Sequence, residues 1–104
     1  MAIDQKTAIK SGKQFASLVR SKIDSEALVL LFGSCVKNKP HDRSDIDIAV
    51  VSKTFGGNVV ENLVSISLLG YLVHPDIEAH AFSINEWEFA TPFINEIKRT
   101  GIML

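Results

Sequence analysis

Apolar and small residues recur at Ala8, Ile9, Gly12, Phe15, Ala16, Val19 and Ile23, with lysines between them. That spacing puts one face of a turn-of-3.6 coil inward and predicts a helix over residues 4–23. Residues 27–32, ALVLLF, form an unbroken apolar run closed by Gly33, the mark of a strand buried on both faces. A short turn or helix and a loop broken by Pro40 follow over 34–43. Residues 45–51, DIDIAVV, alternate and then become fully apolar, a second strand that is polar at its start. Gly56-Gly57 closes that unit. Residues 58–73 carry Val59, Val60, Leu63, Val64, Ile66, Leu69 and Val73 at helical spacing, and Pro75 stops the helix. Residues 77–83, IEAHAFS, alternate with period two as a third strand. Ser83 and Glu86 have the spacing of a capping box for a short helix through Ala90. Thr91-Pro92 opens another helix, Gly101 closes it, and the last residues, IML, suit a short edge strand. The expected architecture is α+β, a small mixed β-sheet with helices packed on it.

The bulk numbers narrow the function. At 104 residues the chain fits a single domain over 1–104. With 46% hydrophobic and 22% charged residues it is globular rather than disordered. A net charge of −1 offers no basic excess for nucleic acid or an anionic membrane surface. Cys35 is the only cysteine, so no intrachain disulfide forms, and a reducing compartment is the simplest reading. The amino terminus lacks the apolar core of a signal peptide. The longest apolar stretch, residues 63–73, is interrupted by Ser65, Ser67 and Gly70 and is too short to span a bilayer. The expectation is a cytoplasmic, soluble protein.

The second strand carries the chemistry. Residues two apart on a strand point the same way, so Asp45 and Asp47 project from one face and Ile46 and Ile48 from the other. Aspartate is disfavoured in strands, and two on one face repel. Alone, D-x-D fits a solvated strand edge. Glu78, between Ile77 and Ala79, changes the balance: if the third strand pairs beside the second, Glu78 faces the same space. Three converging carboxylates require cations, and Mg²⁺ prefers oxygen ligands while keeping waters for phosphate. Asp76 is the rival third acid, but it follows Pro75 and stands before the strand proper, so Glu78 is preferred. Gly33 lets a ligand approach the backbone, and Ser34 adds a hydroxyl and amides at a helix start. A lone Gly-Ser is the mark of a plain turn. Gly-Ser, ten residues, then D-x-D arises by chance in a chain this long about once in a thousand, so the combination calls for an explanation.

The stretch GSCVKNKPHDRSDIDIAV matches the G-S-x10-D-x-D pattern of the DNA polymerase β-like nucleotidyltransferase superfamily. It most resembles the minimal nucleotidyltransferases, or MNT domains. The resemblance runs along essentially the whole chain, and IEAHAFSINEW and FINEIKRTGIML resemble a bacterial branch of the group. It implies a two-metal mechanism: Asp45 and Asp47 bind Mg²⁺, Glu78 completes the site, and Gly33 with Ser34 holds the phosphates of ATP. Aspartate is common at the third position, so Glu78 is a departure. MNT proteins of this kind are typically encoded beside a HEPN-domain protein. In characterised pairs that protein is a toxic RNase, and the MNT antitoxin transfers AMP from ATP to one of its tyrosines. The resemblance thus implies an adenylyltransferase antitoxin working in a hetero-oligomer.

Two other functions stay open: a non-catalytic subunit that neutralises or scaffolds a partner by contact, and transfer to a small molecule, against which the lack of an acceptor domain counts. Residues 54–75 hold one charged side chain, Glu61, so that helix is either wholly buried or partly an interface; burial on every side is hard in 104 residues, which favours contact with a protein. His80 shares the face of Glu78 and either orients a carboxylate, touches the nucleotide, or has a structural polar role. His41, Asp42 and Arg43 read as a solvated loop, with Arg43 able to reach a phosphate. His74 reads as a helix C-terminal residue, and Trp87 and Phe89 as packing residues. Cys35, beside Ser34, has no partner pattern for a thiol nucleophile, and the basic residues of the first helix read as its wet face.

Overall fold

The computed structural model describes residues 3–37 and 45–104. Its elements are α1 (Gln5–Lys22), β1 (Leu28–Phe32), α2 (Ser34–Lys37), β2 (Ile46–Val51), α3 (Val59–Val73), β3 (Ile77–Phe82), α4 (Ile84–Phe89), α5 (Pro92–Thr100) and β4 (Ile102–Met103). The strands form one sheet in the order β3-β2-β1-β4. β1 runs antiparallel to β2 and to β4, while β2 and β3 are parallel. A parallel pair needs a crossover connection, and α3 supplies it. This is the mixed sheet with packed helices that the periodicity predicts. His41, Asp42 and Arg43 lie outside the described residues.

The caps that the sequence names on the last two helices are present, and α1 has one as well: Asp4 accepts from the Thr7 amide at 2.7 Å. Ser83 and Glu86 close a reciprocal capping box on α4, and Thr91 caps α5 ahead of Pro92. Each such cap contributes on the order of 1 kcal/mol to helix formation.

The two faces of the sheet bury different residues. Val29, Leu31, Ile46, Ile48 and Val50 pack with Phe15 and Val19 of α1 and Ile66 of α3. Leu30, Phe32 and Ala49 face the other way, against Ile97 of α5, with Phe82 and Trp87 at the margin. Asp47 falls on this second face, because it alternates with Ile46 and Ile48. Gly70 lets α3 sit close to the sheet: a Cβ there would come within 2.8 Å of Ile77 Cγ2.

One expectation needs adjustment. Trp87 packs on Phe82 with ring centroids 5.6 Å apart, but Phe89, expected to pack with it, is 81% exposed. Positions two apart on a helix lie about 200° around its axis, so α4 turns only Trp87 toward the sheet, where it is half-buried. On α3 only Ile66 and Gly70 are buried. Among the described residues, no helix is long and apolar enough to cross a membrane.

A buried polar link fastens the end of β2 to the α1–β1 turn. Ser52 Oγ donates to Asp24 Oδ2 at 2.7 Å, and the Glu26 amide donates to Asp24 Oδ1 at 3.0 Å. These two bonds, the Ser52 hydroxyl first, hold the Asp24 carboxyl below its ordinary pKa. A lowered carboxylate pKa contributes stability above the unfolded-state value, about 3.9, and loses it as pH falls through the folded value. Ser52→Ala therefore lowers the urea midpoint at pH 7. The gap from wild type narrows below about pH 4; a gap that is constant down to pH 2 would contradict this.

Candidate metal and nucleotide site

The parallel register sets Asp47 directly opposite Glu78 and Ala49 opposite His80. Paired residues share a face, so Asp47, Glu78 and His80 meet at one end of the α5 side of the sheet. One ligand atom from each lies within 4.8 Å of the others. His80 Nε2 is 3.5 Å from Asp47 Oδ1. That nitrogen is buried and has no hydrogen-bond partner among the described residues. Buried polar atoms are nearly always satisfied, so an orphan aimed at two carboxylates fits a site that takes a cation.

The turn after β1 completes the site. Phe32 pairs with Asp47 across the antiparallel ladder, and Gly33 follows with φ +82°. A Cβ on Gly33 would stand 2.6 Å from Asp47 Oδ2. Glycine is required here twice over, by the left-handed backbone and by the approach of the carboxylate. Ser34 begins α2, whose Cys35 and Val36 carbonyls accept from Gln5 Nε2 at 3.2 and 3.1 Å, so α1 holds this turn against the site. Gly33→Ala costs about 1–2 kcal/mol for the backbone alone and pushes the Asp47 carboxylate out of place. Thermal melts and an Mn²⁺ titration should both show the loss; a variant that melts and binds like wild type would remove Gly33 from the site.

The other residues named from sequence are dispersed around this group. Asp45 immediately precedes β2, and its carbonyl accepts from Cys35 Sγ at 3.3 Å; the group within 4.8 Å does not include it. Asp76 lies before β3, its carboxylate 3.9 Å from His74 Nδ1. His74 caps α3, with its amide bonded to the Gly70 carbonyl. Cys35 is buried, and desolvation first, then the charges of Asp47 and Asp45, push its thiol pKa up. A thiol kept protonated is no nucleophile. The sequence put His80 on the face of Glu78 without making it a ligand; the added signal is the β2–β3 register, which carries it to Asp47.

Beside Glu78 and His80 an open groove of about 520 Å³ wraps the edge of β3, walled by Val59 and Leu63 of α3 and by Phe82 and Phe93. A neighbouring hollow of about 390 Å³ at Lys53, Gly56, Gly57 and Glu86 shares Val59 and Ala81 with that groove and is not lined by Asp47 or Glu78.

The profile of the family described as Polymerase beta, Nucleotidyltransferase matches residues 13–104. Two solved structures share the fold. One, described as a "putative nucleotidyltransferase" from Sulfolobus solfataricus, is 21% identical with a TM-score of 0.69, covering 95% of this chain and 80% of that one. The other, described as a "putative minimal nucleotidyltransferase", is 19% identical with a TM-score of 0.65, covering 98% and 97%. No curated protein matches the chain.

Proposed function

Because the chain belongs to the Polymerase beta nucleotidyltransferase family, we propose that it transfers AMP from ATP to a hydroxyl of a partner protein, a HEPN-type toxin that it thereby neutralises. The observation that carries the catalytic part is the convergence of Asp47, Glu78 and His80 beside Gly33. Asp47 and Glu78, with Asp45 just ahead of β2, would hold Mg²⁺, which would supply a lowered pKa at the attacking hydroxyl and charge balance for the departing pyrophosphate. Gly33 leaves the backbone open for the phosphates, and Ser34 supplies a hydroxyl to them. Phe32 and Phe93 stand edge-on to the His80 ring, at 5.1 and 6.3 Å.

The surface offered to the partner is α3. Val60, Val64, Leu68, Tyr71 and Leu72 recur every three or four residues and are all exposed, at 51–76%. An apolar stripe of that length on a small protein marks a surface that another protein covers. The same stripe supports a second reading, a subunit that neutralises its partner by contact alone. A pyrophosphate-release assay separates the two. Release from Mg-ATP should be slow for the chain alone and should rise when the HEPN-type protein is added. Equal release with and without that protein would contradict the proposed acceptor.

A further inference from the structure

His80 departs from an all-oxygen site. Its Nε2 faces Asp47 Oδ1 at 3.5 Å without forming a hydrogen bond, and it is shut away from solvent. A structural histidine at such a distance would turn its N–H onto the carboxylate. The ring instead packs edge-on in a three-ring cluster with Phe32 and Phe93, whose centroids stand 5.1 and 6.3 Å from it and 5.7 Å from each other. Two ligand atoms each about 2.1 Å from one ion stand about 3.0 to 3.4 Å apart for angles of 90 to 109°. The observed spacing is close to that of two groups waiting for the same ion, and Glu78 offers a third atom within 4.8 Å.

Resting on the metal site proposed above, we infer that His80 Nε2 is itself a ligand, and that the site binds Mn²⁺ more tightly than Mg²⁺. Imidazole suits transition ions, whereas Mg²⁺ strongly favours oxygen; Mn²⁺ accepts both. A glutamate, a histidine and an aspartate give two negative charges and one neutral nitrogen, a set that leaves positions open for phosphate oxygens. Mg²⁺ still supports the reaction, with water in the place of the nitrogen.

The probe is Mn²⁺ alone, added to the purified chain and followed by pulsed electron paramagnetic resonance and by titration. Wild type should show modulation from a directly bound ¹⁴N nucleus. His80→Gln should lose that signal and bind Mn²⁺ about tenfold or more weakly, with a much smaller change for Mg²⁺. Its melting curve without metal shows whether the fold survives the change. Mn²⁺ that binds wild type without nitrogen modulation, yet is lost in Asp47→Asn, leaves the site standing and overturns the role of His80. Mn²⁺ binding that Asp47→Asn leaves unchanged, or that wild type lacks, overturns both.

Discussion

Asp47→Asn reduces nucleotide transfer by more than about a hundredfold and leaves the metal-free protein at least as stable as wild type. Loss of a group that merely supports a metal ligand costs about 10–100-fold, and Asp47 is placed to bind the ion directly. Its carboxylate stands within 4.8 Å of ligand atoms of Glu78 and His80 and against the backbone of Gly33. Asparagine keeps the shape and removes the charge that repels Glu78, so the apo fold is relieved rather than strained. Thermal melts with and without Mg²⁺ check this. Wild type should gain melting temperature with Mg²⁺, and the variant should gain little. A variant that melts well below wild type without metal would make Asp47 a structural residue and the site assignment wrong.

The second large effect falls on α3. Leu68→Glu with Leu72→Glu should weaken the complex with the partner by roughly thirtyfold or more, the range of a lost interface hot spot of about 2 kcal/mol. These side chains are 63% and 76% exposed, so the isolated chain should keep its stability to within about 0.5 kcal/mol. Mn²⁺ binding should be unchanged, since both side chains are exposed on α3, which packs on the sheet face opposite Asp47 and Glu78. An unaltered complex would place the partner on another surface.

The elements were legible because their ends are marked chemically. Gly33, Pro75, the Ser83–Glu86 box and Thr91-Pro92 each fix a boundary through one backbone requirement, and those boundaries hold within a residue or so. β2 begins at Ile46, one position after the alternation suggests. The pairing of the strands was not legible, because period two states which face a residue takes and not which strand lies beside it. The register of Asp47 with Glu78 therefore enters only with the structure, and with it the position of His80. For α3 the sequence leaves full burial and an interface open but favours the interface, since burial on every side is hard in 104 residues. Phe15 and Val19 of α1 take part of the same sheet face, and α3 keeps only Ile66 and Gly70 buried. Phe89 shows the limit of hydrophobicity as a guide, since its place on a six-residue helix turns it outward.

The most direct test of the central claim is the intact mass of the HEPN-type partner after incubation with this chain and Mg-ATP. The partner should become heavier by one or more AMP units, carried on a hydroxyl, with no gain when Asp45→Asn and Asp47→Asn are combined. A partner of unchanged mass, still neutralised by that double variant, would contradict catalysis and leave contact through α3 as the whole of the mechanism.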